Sequence, residues 1–366
     1  MKKLKVLVAM SGGVDSSVAA LMMKKKGYEV IGVFMKNWSD TKNEFGECSW
    51  KDERRMAVKI ASMLDIPLMT VDYEKEYKKQ VIEEMFNKYK QGITPNPDID
   101  CNKKIKFPKL IKEAEKIGAD FIVTGHYGRI KKFGNKFKLL RAKDESKDQS
   151  YFLYTLTQEE LKHSLFPIGN YTKRKIRKIA EKAEFPNFNK KSTVGICFIG
   201  KINLKDFLKK KIKPKKGKIL DPEGNVIGEH DGIYYYTIGQ RLGPRYGFEI
   251  NRKNLDNKNL KRWYVARKNV KNNTIIAAPE GHPLLYRKEI ILTEPHWINP
   301  IKEDRKYQVY SRIRQVGELI PSRLSYNKSK KRFEVNLKKE ITGISEGQAI
   351  VLYKGKEVLG GGVINF

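Results

Sequence analysis

The stretch that decides the fold runs from Lys5 to Ser17 and has the sequence KVLVAMSGGVDSS. A short apolar run comes first, a turn rich in serine and glycine follows, and an apolar-periodic segment continues to Gly27. This order predicts a buried strand, a tight loop and a helix with a glycine C-cap. Glycines let the loop approach a ligand closely, and the start of a helix offers unpaired N–H groups to an anion. The pattern G-x-x-x-x-G-K-[ST] of the Walker loop does not occur here.

The loop resembles the PP-loop of ATP pyrophosphatases, which cleave ATP between its α and β phosphates, because Ser-Gly-Gly-x-Asp-Ser follows a buried strand. An ordinary glycine-rich turn between a strand and a helix is the alternative interpretation. The resemblance implies ATP as a cofactor together with Mg²⁺, for which Asp15 is the candidate ligand. The loop residues assigned to the nucleotide are Ala9, Met10, Ser11, Gly12, Gly13, Val14, Asp15 and Ser16.

Length and charge limit the classes of protein to consider. With 366 residues, 40% of them hydrophobic, the chain can build two or three packed domains. Its 75 Lys and Arg against 42 Asp and Glu give a net charge of +33, which favours a polyanionic partner, although a merely solvated lysine-rich surface would carry the same charge. No apolar run approaches the ~20 residues of a membrane span, and no cleavable signal precedes the first strand. We therefore expect a cytoplasmic protein without membrane contact, and we also expect it to be a monomer.

Apolar runs alternate with helical patterns through the first third of the chain. Strands are predicted at 5–9, 29–35, 68–71 and 120–125, helices at 52–64, 73–89 and 107–117, and a loop at 92–101. This alternation is typical of a parallel sheet with helices on both faces. Ligands of such sheets bind beyond the carboxyl ends of the strands, where the opening loop, Met35 and Gly125 would converge.

The rest of the chain changes character in two steps. A hairpin is predicted at 129–143 and a broken helix at 158–184, and a basic run, KKKIKPKKGK, begins at Lys209. Short strands with turn signals then follow, and those after 284 suit a small β-barrel. We predict an α/β protein with an N-terminal parallel-sheet PP-loop domain (adenine nucleotide α-hydrolase-like) at 1–203, a small central mixed domain at 204–281 and a C-terminal β-barrel at 282–366.

The chain has three cysteines, Cys48, Cys101 and Cys197, whose spacing forms neither a disulfide framework nor a C-x-x-C zinc site. Cys101 ends a polar loop that also carries Asp98, and Cys197 lies between apolar residues and two glycines. A reactive thiol and a buried structural cysteine are equally compatible with the first segment. The second segment, taken alone, favours the buried end of a strand.

A larger set of motifs resembles the tRNA-specific 2-thiouridylases, which thiolate uridine at the wobble position of tRNA. The match extends over nearly the whole chain and includes both cysteine motifs. Its segments are Ala9–Ser16, Asn96–Phe107, Thr124–Tyr127, Lys147–Leu153, Gly195–Gly200, Thr237–Arg241, Trp263–Val265, Pro295–Trp297 and Leu359–Gly362.

The resemblance implies a reaction and assigns residues to it. ATP would adenylate the C2 oxygen of uracil, and a persulfide would then supply sulfur. Cys197 would carry the persulfide, received from a sulfur-relay or cysteine desulfurase protein, and Cys101 would be the nucleophile that forms a disulfide with it. Asp98 would be the acid/base, Met35 and Gly125 would line the adenosine pocket, and Cys48 would be structural. The residues implied to contact tRNA are Asn96, Pro97, Asp98, His126, Lys147, Asp148, Gln149, Arg312, Ile313 and Gln348.

Two other functions stay open at this point. A different PP-loop enzyme would use the same ATP loop but would not need both cysteine motifs. A non-enzymatic RNA-binding protein would explain the charge but not the loop.

The two cysteines also raise a geometric question. A disulfide requires Cα atoms within ~7 Å, so either the fold places Cys101 and Cys197 together or a loop moves. The glycines at 195 and 200 favour a Cys197 segment that moves, with the sulfurs apart before tRNA binds.

Overall fold

The structure is a computed structural model that describes residues 3–40, 49–191, 195–197, 199, 203–243 and 261–366. Cys48, the residues at 192–194 and the glycine at 200 lie outside the described residues. Helices and strands are numbered here in chain order. No helix within the described ranges is long and apolar enough to cross a membrane.

The N-terminal half alternates strands with helices. Its strands are β1 (Lys5–Ala9), β2 (Glu29–Lys36), β3 (Leu68–Asp72), β4 (Phe121–Val123), β5 (Gly128–Phe133), β6 (Lys136–Arg141) and β7 (Ser164–Leu165). Its helices are α1 (Val14–Lys25), α2 (Ser49–Met63), α3 (Glu74–Tyr77), α4 (Glu84–Lys90), α5 (Pro97–Cys101), α6 (Phe107–Lys116), α7 (Gln158–Lys162) and α8 (Lys173–Lys182). A π-helical turn (Lys78–Glu83) joins α3 to α4, and another (Asn102–Lys106) joins α5 to α6.

The remaining chain is mostly strand. It begins with α9 (Leu204–Lys209) and continues with β8 (Gly217–Leu220), β9 (Val226–His230), β10 (Arg241–Leu242), β11 (Trp263–Asn269), β12 (Thr274–Pro279), β13 (Tyr286–Trp297), β14 (Tyr307–Arg312), β15 (Ile320–Asn327), β16 (Arg332–Thr342), β17 (Ala349–Lys354) and β18 (Glu357–Asn365).

The first sheet is parallel and has the order β3-β2-β1-β4-β7. Its central strand β1 is covered on both faces, and Val6, Leu7 and Val8 are each 0% exposed, which explains the continuous apolar run. The predicted α/β class is confirmed. The broken helix predicted at 158–184 has its break, around 167–169, but the break is wider than predicted because Ser164 and Leu165 form the short edge strand β7. Two residues are too few to show a strand period.

The loop predicted at 92–101 is wrong in its second half. Asn96 is the N-cap of α5, where its side chain accepts the N–H of Ile99, and Pro97 occupies the first turn. The helix continues through the π-helical turn into α6, so Asp98, Cys101 and Lys106 lie on one continuous helical segment. Asparagine followed by proline is a helix-start pattern that the polar composition of this segment masked.

The other two sheets form the central unit and the barrel. The central sheet has the order β10-β11-β12-β8-β9. Strands β13, β16, β15, β14, β17 and β18 form the C-terminal sheet, and a pairing between β13 and β18 closes it into the predicted barrel. The β5–β6 hairpin extends this barrel sheet, since Leu140 pairs with Glu357. A hairpin of the N-terminal half therefore holds the barrel against the parallel sheet.

Candidate active site

The loop between β1 and α1 has the geometry of an anion site. Gly12 has a φ of +69°, and a Cβ there would lie 2.3 Å from the carbonyl oxygen of Glu53. Gly13 is the N-cap of α1 and has no side chain to cap the N–H groups of the first turn, an arrangement that favours anion binding at a helix start. The hydroxyl of Ser16 donates to the Gly13 carbonyl at 3.0 Å and accepts the N–H of Ser11 at 3.2 Å. These bonds fix the conformation of the loop.

The predicted convergence at the carboxyl ends of the strands is present for Gly125. A Cβ at Gly125 would lie 2.7 Å from the N atom of Ser16, so the end of β4 packs directly on the first turn of α1. Met35 lies near the end of the neighbouring strand β2 and is 6% exposed. Ala9 is the last residue of β1, and Met10, which is buried, follows it at the start of the loop.

Asp15 is held by two groups that the sequence patterns did not indicate. Its carboxylate accepts two hydrogen bonds from Lys173 Nζ, at 2.8 and 2.7 Å, and one from the hydroxyl of Tyr127 at 2.8 Å. Burial, and next the charge of Asp15, raise the pKa of Tyr127, which stays a donor. Lys173 is itself buried at the start of α8, so a buried cation lies beside the loop.

The site fits ATP phosphates better than it fits a metal ion alone. Among the described residues, no group of three or more His, Cys, Asp or Glu could hold a metal. Mg²⁺ is commonly bound by one or two carboxylates together with substrate phosphates. Asp15 is the carboxylate of this loop that could serve as such a ligand.

The two cysteines that are distant in sequence meet in the fold. Both are free thiols, and their Sγ atoms lie 3.6 Å apart. The expectation that the sulfurs lie apart is therefore wrong for this structure. The N–H of Cys197 donates to Asp98 Oδ1 at 2.7 Å, and its carbonyl accepts the hydroxyl of Tyr77 at 2.5 Å. These two anchors fix the Cys197 segment over α5.

The two thiols differ in exposure and in acidity. Cys101 is 0% exposed, whereas Cys197 is half-buried. Burial, and next the adjacent Cys197 sulfur, raise the pKa of Cys101 well above its ordinary value. The hydrogen bond from Cys101 lowers the pKa of Cys197 against the effect of burial, and the Lys106 ammonium lowers it further. Of the two thiols, Cys197 is therefore the more acidic and loses its proton first, with Cys101 Sγ as the hydrogen-bond donor to it.

Lys106 and His126 complete the surroundings of the sulfurs. Lys106 Nζ lies 3.6 Å from Cys197 Sγ and 3.5 Å from His126 Nε2. Lysine can only donate, so Nε2 accepts and Nδ1–H donates to Thr124 Oγ1 at 2.8 Å. Burial, and next the Lys106 charge, lower the pKa of His126 well below its ordinary value, which keeps the ring neutral. Burial raises the pKa of Asp98, while the Cys197 N–H and Lys106 oppose that rise.

The residues implied to contact tRNA fall into two groups. Asn96, Pro97 and Asp98 begin α5, and Gln348 supports them because its amide donates to the carbonyls of Thr94 and Pro95 at 2.9 Å each. Lys147, which follows β6 in the chain, is exposed, and the side chain of Gln149 accepts the N–H of Tyr127.

The second group is enclosed by protein. His126, Asp148, Arg312 and Ile313 are 9%, 1%, 4% and 5% exposed. Asp148 Oδ2 accepts from Arg141 Nε at 3.2 Å and from Arg312 Nη1 at 2.9 Å. In this conformation these four side chains lie beneath the protein surface and are not exposed to a tRNA.

Comparison with known proteins identifies first the class of this protein and then its family. The models of three domains match in order, described as a tRNA methyl transferase HUP domain at residues 4–201, a tRNA methyl transferase PRC-barrel domain at 205–279 and an aminomethyltransferase beta-barrel domain at 287–364. With the loop geometry, these matches define a HUP-domain protein that carries two further β domains.

Curated relatives specify the family. The tRNA-specific 2-thiouridylase MnmA of Coxiella burnetii is 43% identical, with 98% of each chain covered. The enzyme of the same name from Bacillus subtilis is 40% identical over 99% of this chain and 95% of its own. The chain belongs to the tRNA-specific 2-thiouridylase family and is an enzyme. A solved 4-thiouridine synthetase–RNA complex aligns over 54% of this chain and 45% of its own at 16% identity and a TM-score of 0.34, which is too weak to add to this assignment.

Proposed function

We propose that the protein catalyses the ATP-dependent 2-thiolation of the wobble uridine of tRNA and releases AMP and pyrophosphate. The observation that carries this proposal is the contact of two free thiols, 3.6 Å apart, at the end of the sheet that also bears the anion loop. The named activity of the curated relatives supports it.

The first chemical step makes the uracil C2 oxygen a good leaving group. That oxygen attacks the α-phosphorus of ATP, the bond to the β-phosphate oxygen breaks, and pyrophosphate leaves. The N–H groups at the start of α1 and the Lys173 ammonium would hold the phosphates. Asp98 would accept the N3 proton of uracil, and the raised pKa of this carboxyl makes it a stronger base.

The second step exchanges oxygen for sulfur between the two cysteines. The terminal sulfur of a persulfide on Cys197 attacks C2, and AMP leaves with the electron pair of the C–O bond. The Cys101 thiol then passes its proton to Asp98, as Asp98 gives up its own to N3, and the resulting thiolate attacks Cys197 Sγ. The S–S bond to the base breaks, the electron pair stays on the base sulfur, and N3 recovers its proton from Asp98. An external thiol must reduce the resulting disulfide.

The partial exposure of Cys197 also supports a protein sulfur donor. Of the two cysteines, Cys197 is the more exposed, whereas Cys101 is 0% exposed, so a sulfur-relay protein or cysteine desulfurase would deliver sulfur to Cys197. We propose further that the enzyme acts as a cytoplasmic monomer, and that its domains span 1–203, 204–281 and 282–366.

The test uses the full-length enzyme, tRNA, ATP, magnesium, and a cysteine desulfurase with cysteine as the sulfur source. Mass spectrometry should find a sulfur-for-oxygen exchange at the wobble uridine. Cys197→Ser should lose this exchange yet still form adenylated tRNA, and Cys101→Ser should also block thiolation. Cys48→Ser is the matched control and should retain activity.

Three outcomes would overturn parts of the proposal. Full thiolation by Cys197→Ser, or an inactive but folded Cys48→Ser, would contradict the roles of the cysteines. Methylation of the tRNA instead of the exchange would contradict the reaction, and tRNA binding without AMP or pyrophosphate would leave only RNA binding.

A further inference from the structure

Lys106 is a cation in contact with the thiol pair, and the proposed reaction assigns it no part. Its place depends on the π-helical turn Asn102–Lys106. In a regular α-helix a residue five positions after Cys101 would be rotated ~140° away from it. A turn with i→i+5 hydrogen bonds returns such a residue toward the same face, and turns of this kind are frequent at functional sites. The turn thus places the ammonium 3.6 Å from Cys197 Sγ.

Of the described groups that surround the two sulfurs, Lys106 is the one that carries a positive charge. His126 is neutral, Asp98 is an acid, and Tyr77 donates its hydroxyl to the Cys197 carbonyl. Lys104, two positions earlier, pairs with Glu84 and Asp100. Burial lowers the pKa of Lys106, but the two sulfurs and Asp98 raise it by more than burial lowers it. The side chain therefore stays charged.

We propose that Lys106 is a positioning residue that selects Cys197 as the sulfur carrier, because its ammonium lies against Cys197 Sγ at 3.6 Å and favours negative charge on that sulfur rather than on Cys101. The thiolate is the nucleophilic form of cysteine. Cys197 would attack the outer sulfur of a donor persulfide, the donor S–S bond would break, and the donor cysteine would leave as a thiolate. The persulfide anion formed on Cys197 would stay beside Lys106. Only this transfer step rests on the proposed function.

The test measures the ionisation of Cys197 without tRNA, ATP or a donor. In a Cys48→Ser background, the rate at which iodoacetamide alkylates Cys197 is followed against pH by peptide mass spectrometry. Wild-type Cys197 should be alkylated with a midpoint below the ~8.5 of an ordinary thiol. Lys106→Met removes the cation, so the midpoint should rise by about one pH unit and the rate below it should fall about tenfold. Lys106→Arg should restore the wild-type profile.

Lys103→Met is the matched control, since Lys103 lies exposed on the same turn and should leave the profile unchanged. An unchanged midpoint in folded Lys106→Met would overturn the proposal. A wild-type midpoint at or above that of an ordinary thiol would overturn it whether or not any variant folds.

A second measurement separates this proposal from the reaction. After loading with a desulfurase and cysteine, persulfide should map to Cys197 in the wild type, and Lys106→Met should carry less of it or share it with Cys101. Persulfide confined to Cys197 at wild-type yield in Lys106→Met would contradict selection by the lysine. If tRNA thiolation fails while alkylation depends on Lys106, the proposed reaction is wrong and the ion contact stands.

Discussion

The side chain of Asp148 is fully buried and carries a charge shared by two arginines. Arg141 and Arg312 donate to it, and their side chains are 10% and 5% exposed. The hydroxyl of Ser150 donates to the same carboxylate at 3.0 Å. Arg312 belongs to barrel strand β14, so this single carboxylate joins the barrel to the N-terminal half.

Asp148→Ala should destabilise the protein strongly, because two buried guanidinium groups would lose their counter-charge. Removal of one partner of a buried ion pair costs about 3–5 kcal/mol in free energy of unfolding. Glu145→Ala is the control, since Glu145 pairs with the same Arg141 but its side chain is 66% exposed, and a surface pair contributes under about 1 kcal/mol. Urea denaturation followed by circular dichroism measures both variants. If Asp148→Ala lost no more free energy of unfolding than the small loss expected for Glu145→Ala, the Asp148 network would not stabilise the fold.

At the scale of elements, helix α1 is bounded by two glycines with left-handed backbones. Gly12 precedes the helix with a φ of +69°, and Gly27 follows it with a φ of +86°. A Cβ at Gly12 would overlap the Glu53 carbonyl, whereas a Cβ at Gly27 would have no atom within 4 Å. The two positions share the conformational requirement and differ in the space around them.

This pair permits a controlled test of the anion loop. Gly27→Ala should cost about 1–2 kcal/mol of stability, the penalty of a left-handed L-residue, and leave ATP affinity unchanged. Gly12→Ala should pay that penalty, displace the loop from α2 and lose ATP binding. Calorimetric titration with ATP and urea denaturation separate the two effects. Wild-type ATP affinity in Gly12→Ala would exclude this loop as the nucleotide site.

At the scale of the whole molecule, the charge of +33 is distributed unevenly. The basic run that begins at the last residue of α9 exposes six lysines at 209–216. Lys209 pairs with Asp231 at 3.6 Å, and Lys210 and Lys211 lie over the rings of Phe207 and Phe86. The later lysines of the run therefore offer the clearest test of phosphate contact.

Neutralising Lys213, Lys215 and Lys216 to Gln should weaken tRNA binding and its salt dependence. The slope of log affinity against log salt should fall by ~0.7–0.9 for each lysine that contacts a phosphate, because fewer counterions are released. The same three changes at Lys328, Lys330 and Lys331, in the turn between β15 and β16, are the control. Filter binding across a salt series gives both slopes. Equal slopes in wild type and the first variant would identify the run as a solvated surface.

Local patterns were sufficient to predict the parallel sheet, the strand-loop-helix opening and the barrel strands. Hydrophobic periodicity and turn residues depend on a few neighbouring positions, so they can be recognised in the sequence before the fold is known. Even α5 was accessible in this way, since Asn96 and Pro97 start it. The two cysteine segments were likewise visible as motifs.

The contacts between residues distant in sequence, on which the chemistry of the site depends, could be seen only in the folded chain. Cys101 and Cys197 meet only because α5, Tyr77 and Asp98 hold the second segment, and no local pattern encodes that meeting. Lys173 reaches Asp15 across more than 150 positions, and the burial of Asp148 depends on a barrel strand. The physical reason is that secondary structure follows from neighbours along the chain, whereas ion pairs, buried thiols and their acidities follow from neighbours in space.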